Sequence, residues 1–530
     1  MSGESTNFAN SSAANELPAQ VGANDVLRTS QPLRRNITTE LARRIFSLPV
    51  ALGTLLVGWA FSKVRTFYVD PDVWWHIKTG QDILRSHHWP TTASYSLTAP
   101  GMPWIAYEWL GEVLLAVTHR LGGNTALFAL LVASTSAAVV MLYYYASLRS
   151  GNCMAGFVAT ACMSTLVFLS FTLRPQMFGY LFLILVLMVL ERFRRGVSWA
   201  LWTLPLLSLL WVNLHGSFIV GIGVLIVYFC AGLKSFRMGD IEGVAWSVRQ
   251  RIQLEATILL SLAVLPLTPY GTQLAVYPFD MMFSQPINVS HITEWRPMPI
   301  DQQFGKIFLG IVLLVVVLQI LFRFTWRLEE LLLAIGGTAL ACLHARMLLL
   351  FVPLFAPMLA VMLARVLPRY GWAKHRYVLN GVVITAVVMG VILYFPSREF
   401  LQKKINADFP VQAVNYLSSN TVPDPMLNSY YFGGYLVFMG HKAFIDGRGD
   451  LYERTGVLAD YLTLSEVQPG AFSVLDRYQV ASCLLLHDEK LAVLLDRSLQ
   501  WKKVYSDETA VLFVRKNKET KDILGQGMGK

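Results

Sequence analysis

Apolar residues run in long blocks through most of this chain. They occupy Leu127–Tyr145, Phe157–Phe171, Met177–Leu190, Phe218–Leu233, Ile258–Leu267, Ile307–Phe322, Met347–Leu363 and Val378–Phe395, with shorter blocks at Phe46–Phe61, Leu201–Leu214 and Leu331–Leu343. A bilayer-spanning helix needs roughly 20 mostly apolar residues, so the pattern predicts about eleven transmembrane helices. The shorter blocks are the ones expected to be tilted, broken or re-entrant. Residues 1–27 are rich in Ser, Asn and Ala without periodicity, which predicts a disordered tail within 1–44. The blocks fill residues 45–395, and residues 396–530 are expected to form a separate soluble domain. There, Ala443–Asp446 and Ala481–Leu486 read as strands and Lys490–Arg497 as a helix. Trp501–Tyr505 and Ala510–Arg515 read as a hairpin, giving a small α/β or α+β layer.

Charge between the blocks orients them. Arg28, Arg34, Arg35, Arg43 and Arg44 precede the first span and hold the N-terminus in the cytoplasm, outnumbering Lys63 and Arg65 at its far end. Alternation then puts Arg149, the Glu191–Arg195 run, Lys234–Arg251, Arg323–Arg327 and Arg365–Arg376 inside. It puts the first loop (68–122), Arg174, the Asn213–Gly216 hairpin, Tyr270–Phe304, the His344–Arg346 turn and the C-terminal region outside. No cleaved signal peptide is expected, because the first apolar stretch lies far from the start.

Composition agrees: 15% of residues are charged and 54% are apolar, against about 25% charged in soluble domains. The net charge of +10 is spread between spans rather than gathered in a soluble patch, which argues against nucleic acid as a partner. Four of the five cysteines lie in or beside apolar blocks, so no disulfide framework is expected. No internal repeat, Walker loop, dinucleotide fingerprint, HExxH or Gly-x-Ser-x-Gly is present.

Candidate chemistry concentrates in the first outer loop. Asp70-Pro71-Asp72-Val73-Trp74-Trp75-His76 predicts a helix start, with Asp70 as N-cap, Pro71 at the first helical position and the helix running to about Leu84. Asp72 and His76 then share a face, and the tryptophans are expected in the interfacial belt. A second surface helix is predicted from Trp104, carrying Glu108 and Glu112 one turn apart. An acid at the water–lipid boundary suits a general base for an acceptor hydroxyl or amine, or a metal that neutralises a leaving phosphate. Asp72 and His76 are the candidate ligands of such a divalent metal. Cations for a phosphate are supplied by Arg174, His215, Arg296 and Arg346, with His76 a further substrate contact. Arg346, set between two apolar spans, needs a partner.

Taken together, these residues resemble the GT-C superfamily of integral membrane glycosyltransferases. The closer likeness is to bacterial proteins related to protein mannosyltransferases and lipid A aminoarabinose transferases. The resemblance rests on residues 70–80, Tyr107-Glu108-Trp109-Leu110, Trp211–Gly216, Thr268-Pro269-Tyr270-Gly271, Glu294-Trp295 and the Arg346 turn, and covers roughly residues 45–395. It implies a GT-C-like membrane domain in a bacterial inner membrane. It also implies a polyprenyl-phosphate-linked sugar donor, inverting transfer to a glycan, lipid or protein acceptor outside the cytoplasm, and a catalytic acid in the first outer loop. The mannosyltransferases carry adjacent acids there; here Pro71 separates them, leaving Asp70 and Asp72 both open as the base, with Asp72 favoured because Asp70 is the better cap. The C-terminal segments Asn428–Tyr435 and Phe444–Arg448 look like the outer domain of such proteins, with Asp446, Arg448 and Asp450 either facing the cleft or tying a turn. A lipid or glycan transporter and a non-catalytic scaffold presenting the C-terminal region are the competing classes. The clustering of acids at one face speaks against the transporter.

Overall fold

The structure is a computed structural model and describes residues 37–64, 70–291, 295–370 and 376–516. Residues 1–36 of the tail expected within 1–44, Arg65 and Glu294 lie outside these residues, and 37–44 are helical rather than disordered. The chain divides into two units, Met1–Ile45 and Phe46–Lys530. The first contributes helix α1 (Ile37–Ile45), with Arg43 and Arg44 in its last turn.

In the second unit every apolar block becomes helix. In order these are α2 (Leu48–Val64), α3 (Val73–Ser86), α4 (Trp109–Ser150), α5 (Cys153–Ser170), α6 (Gln176–Arg194), α7 (Leu204–Leu214) and α8 (Phe218–Ala231). Strands β1 (Phe236–Met238) and β2 (Ile241–Gly243) lead to α9 (Val248–Ala263), α10 (Gln273–Phe283), α11 (Pro286–His291) and α12 (Gln303–Phe322). Strand β3 (Trp326–Arg327) precedes α13 (Leu328–Leu343), α14 (Leu348–Leu363) and α15 (Tyr377–Leu393). Among the described residues α4, α6 and α12 are long and apolar enough to cross a membrane. Helix α15 joins them when counted with α16 (Arg398–Asp408), to which it is bent by 61°. The other apolar blocks form helices of 11 to 18 residues, shorter than the sequence expectation of full spans. Helix α4 is broken where Gly123 takes φ +58°, a conformation open to glycine and costly for a side chain.

The two charge classes separate in space. Helix α6, about 28 Å long at ~1.5 Å per residue, begins beside Arg174 and ends at Arg194. At its far end the segments assigned inside gather: Arg149 pairs with Glu330 at 2.7 Å, Arg194 with Glu329 at 2.7 Å, and Glu191 with both Arg195 and Arg327. Glu191 and Glu329 are buried, and Arg194 stacks 3.6 Å over Trp246. At the near end the segments assigned outside gather around Asp72.

The C-terminal region adds α17 (Val411–Ser419), β4 (Met426–Asn428), α18 (Tyr430–Phe438), α19 (Gly449–Arg454), α20 (Val457–Ser465), α21 (Ala471–Arg477), β5 (Ser482–Leu486), α22 (Lys490–Asp496), β6 (Trp501–Ser506) and β7 (Ala510–Arg515). Its sheet runs β4-β5-β7-β6, with β4 and β5 parallel and the expected β6–β7 hairpin antiparallel. Ala443–Asp446 is not a strand. Asn428 takes its backbone groups instead, accepting from Phe444 N–H and donating to the Ile445 carbonyl, both at 2.8 Å.

No break in packing appears at residue 396. One apolar core joins Trp75, Ile83, Ala99 and Trp104 of the first loop to Phe444, Tyr452, Leu475, Trp501 and Phe513. The close approach is made by glycines: a Cβ on Gly434 would meet the Pro71 carbonyl at 2.5 Å. This cover corrects the expected interfacial tryptophans. Trp74 lies against Phe409, Tyr435 and Phe438, and Trp75 is 2% exposed. The predicted second surface helix also differs. Trp104 to Tyr107 is irregular and buried or half-buried, the helix starts at Trp109, and it continues into the long α4.

Candidate active site

The helix start at residues 70–73 sets the first acids. Helix α3 begins two residues later than expected from the motif, at Val73, with Asp72 in the capping position but making no side-chain cap. Asp70 instead closes the turn, its Oδ1 accepting the Asp72 N–H at 2.9 Å. Arg174, in the turn before α6, donates from Nε to both Asp70 oxygens at 2.8 and 2.9 Å and places Nη1 3.1 Å from Asp72 Oδ2. Asp70 is thus tied twice, once to backbone and once to Arg174, and is 5% exposed. Asp72 also lines a cavity.

Glu108 stands at the first residue before α4 and is buried. Its Oε1 lies 3.2 Å from His215 Nε2, and its Oε2 is 3.6 Å from His76 Nε2. The Ser217 N–H donates to His215 Nδ1 at 3.0 Å, so the ring proton sits on Nε2 and points at Glu108. His76 turns Nδ1 to Glu112 Oε1 at 3.2 Å. Burial lifts the Glu108 carboxyl to about 8, against the lowering pull of Arg346 and Arg174, while Asp72 and Asp450 add to the rise. Burial, then Arg346, drops His215 to about 3. Burial, then Arg174 and His215, holds His76 well below its ordinary value. Near neutrality Glu108 is therefore a protonated donor between two neutral imidazoles.

Arg346 comes from the 3-10 turn between α13 and α14, donates to Gln176 Oε1 at 3.0 Å and lies 4.9 Å over the Trp295 ring. The neighbouring His344 turns Nδ1 to the Trp295 carbonyl at 2.7 Å. The partner expected for this charge is thus an amide and an aromatic face rather than an acid.

Asp72, His76, Glu108, Arg174 and Arg346 line one cavity of about 120 Å³, with Gln176, Tyr107, Asn288, Trp295 and Asp450. Tyr107, Glu108, Gln176, Met281, Trp295 and Arg346 also line an adjoining, largely apolar groove of about 150 Å³. His215, Ile219, Val220, Pro278, Met282 and Leu350 complete it. The C-terminal segment closes the cavity. Gly447 packs so tightly that a Cβ there would lie 1.9 Å from Asp72 Oδ1. The two roles open for 446–450 are divided: Asp446 and Arg448 form a buried pair at 2.6 Å, and Asp450 lines the cavity.

Arg296 is not part of this group. It is exposed and donates to the Ser290 carbonyl at 3.3 Å, while its neighbour Trp295 faces the cavity. Asp72 and His76 are not arranged as a ligand pair either. Both His76 nitrogens face glutamates, and the Arg174 guanidinium occupies the position beside Asp70 and Asp72 where a cation would sit. Among the described residues no three His, Cys, Asp or Glu side chains are grouped to hold a metal ion. Gln176, Asn288 and Asp450 were not singled out as site residues by sequence, apart from the two alternatives for Asp450. The first two are neutral amides with no local motif.

No family model matches the chain, and no curated protein is similar to it in sequence. Among solved structures it is similar to the oligosaccharyltransferase of Archaeoglobus fulgidus tethered with an acceptor peptide, at 10% identity and TM-score 0.49, over 90% of this chain and 75% of that one. The archaeal enzyme in complex with an inhibitory peptide and a dolichol-phosphate matches at 11% identity and TM-score 0.45, over 82% and 69%. ArnT from Cupriavidus metallidurans bound to undecaprenyl phosphate matches at 15% identity and TM-score 0.41, over 91% and 99%. At these identities they are likenesses of fold.

Proposed function

We propose that this protein is a membrane glycosyltransferase that moves a sugar from a polyprenyl-phosphate donor to a hydroxyl or amine acceptor at the extracytoplasmic face. The observation that carries this reading is the shared wall between the acid-bearing cavity and the apolar groove. A lipid phosphate has an apolar tail and a charged head, and only a site with both compartments serves it. The tail suits the groove, and the phosphate suits Arg346 at the boundary, with Gln176 beside it. The sugar then projects into the cavity toward Asp72. The solved relatives bind dolichol-phosphate or undecaprenyl phosphate, in keeping with such a donor.

In this scheme the acceptor O–H or N–H gives its proton to the Asp72 carboxylate as its lone pair attacks the anomeric carbon. The bond from that carbon to the phosphate oxygen breaks, and the phosphate keeps the electron pair. Arg346 offsets the charge that develops there, and protonated Glu108 supplies a hydrogen bond without adding a second negative charge.

The test is reconstitution in vesicles with a sugar-bearing polyprenyl phosphate. Glycosylated acceptor together with free polyprenyl phosphate supports the reading. Movement of the intact lipid between leaflets without product makes the protein a transporter instead.

The Glu108 assignment predicts a pH signature. Its carboxyl is protonated below about pH 8 and ionises above it, bringing a second negative charge near Asp72. Wild-type kcat/KM is expected to fall as pH rises through about 8. Glu108→Gln, a neutral donor at every pH, is expected to retain most activity at pH 7 and to lose that alkaline limb. A Gln variant with the wild-type limb removes Glu108 from this role.

A further inference from the structure

One part of the cavity wall is built from the segment 447–450, α11 and the first turn of α3. It holds polar atoms that nothing in the protein satisfies. Trp75 Nε1 and Asn288 Oδ1 are buried without a hydrogen-bond partner, in side chains 2% and 1% exposed. Both face glycines of the cavity wall. A Cβ on Gly447 would lie 2.8 Å from Trp75 Nε1, and one on Gly449 would lie 2.8 Å from Asn288 Oδ1. Asp450, 4% exposed, lines the same wall. Asn288 is held from behind, since Glu453 accepts its backbone N–H at 2.7 Å and its amide nitrogen donates to Gln285 at 3.0 Å. The amide oxygen is thereby turned to the glycine.

Buried polar atoms are ordinarily paired, so the chemistry of the missing partner can be read from this set. A phosphate would answer the indole N–H but would face Asp450 and an amide oxygen, acceptor against acceptor. A metal cation would answer the oxygens but not the indole. A neutral hydroxyl both donates and accepts, and a ring bearing several of them answers all three. We propose that Trp75, Asn288 and Asp450 form the subsite for the hydroxyl groups of the transferred sugar, in the cavity that Arg346 also lines. This rests on the transferase reading and adds the residues that recognise the sugar. The segment Asp446-Gly447-Arg448-Gly449-Asp450 then serves specificity: its glycines lie against the two polar atoms without a Cβ, and its last residue contacts the ring.

The full-length protein in lipid nanodiscs is titrated with a polyprenyl phosphate and with the same lipid carrying a hexose, a pentose or an N-acetylhexosamine. Wild type is expected to prefer at least one sugar-bearing lipid over the bare phosphate. Asp450→Asn and Asn288→Ala are each expected to weaken that lipid roughly tenfold, as loss of a hydrogen bond in a buried site does, with bare-lipid affinity unchanged. Gly449→Ala, whose Cβ would lie 2.8 Å from Asn288 Oδ1 and so must displace that amide without removing a polar group, is expected to act in the same way. Arg346→Ala should weaken both lipids. Retained bare-lipid binding shows that each variant is folded. The proposal is overturned if the variants weaken both lipids alike, if they keep the wild-type preference, or if wild type prefers none of the three sugars. Wild type binding neither the bare nor any sugar-bearing lipid overturns the transferase reading itself.

Discussion

Asp72→Asn is expected to lower the rate of sugar transfer by roughly 10²- to 10⁴-fold, the usual contribution of a positioned general base. The amide keeps the size and shape of the carboxylate, and Asp72 makes no side-chain cap for α3, so the helix start has no reason to change. Arg174 remains anchored, because Asp70 holds it through two contacts at 2.8 and 2.9 Å. What is lost is the oxygen able to take the acceptor's proton. Binding of the donor lipid should change little, so the loss belongs in kcat rather than in KM. Asp70→Asn should behave differently. Asp70 is tied to the Asp72 N–H and to Arg174, so its loss should destabilise the turn as well as slow the reaction. Initial rates and unfolding midpoints of the two variants separate these roles. Full activity in Asp72→Asn, with a collapse in a still-folded Asp70→Asn, would transfer the base to Asp70.

Asp446→Ala is expected to destabilise the protein by about 3–5 kcal/mol, the cost of stranding one member of a buried ion pair. Arg448 is fully buried between the rings of Tyr95 and Trp104, at 5.2 and 5.0 Å, and its Nη1 already lacks a partner. Asp446 accepts from its Nε, its Nη2, its backbone N–H and the Tyr452 hydroxyl. Removing that carboxylate leaves a guanidinium with no water and no acid. Replacing both charges, as in Asp446→Leu with Arg448→Met, should cost less than the single change, because no charge is then left unpaired. Denaturant unfolding of the three proteins checks the order. Equal stability of wild type and Asp446→Ala would show that the pair does not hold the segment. The single variant should also lose activity beyond its loss of folded protein, since Gly447 lies between the pair and touches Asp72.

The polar half of the site was legible because charge is conspicuous in an apolar chain. Arg174, His215 and Arg346 each border an apolar block, Asp72 and Glu108 stand among aromatic residues in the first loop, and burial forces such residues to find one another. The Arg149–Glu330 and Arg194–Glu329 pairs join segments that the charge alternation put on one side. Asn288 and Gln176 were not legible, since a neutral amide in a helix carries no pattern that separates a contact from a solvated surface. Arg296 misled because it follows Trp295, and consecutive residues point to different sides. The tryptophans of α3 misled for another reason. Aromatic residues beside acids at a membrane edge have the same local sequence whether lipid or protein covers them. The cover here, Tyr435 and Phe438 on α18, lies some 360 residues away along the chain.

The contributors to the cavity are scattered from Asp72 to Asp450, and this has a consequence for synthesis. A ribosome delivers Asp72, the arginines and the groove long before it delivers the wall that Gly447 presses against Asp72. Until that wall arrives, Trp75 and its neighbours have no lid and the acids have no enclosed chamber. The nascent chain therefore acquires this enclosed cavity only after the segment that ends at Asp450 has been made.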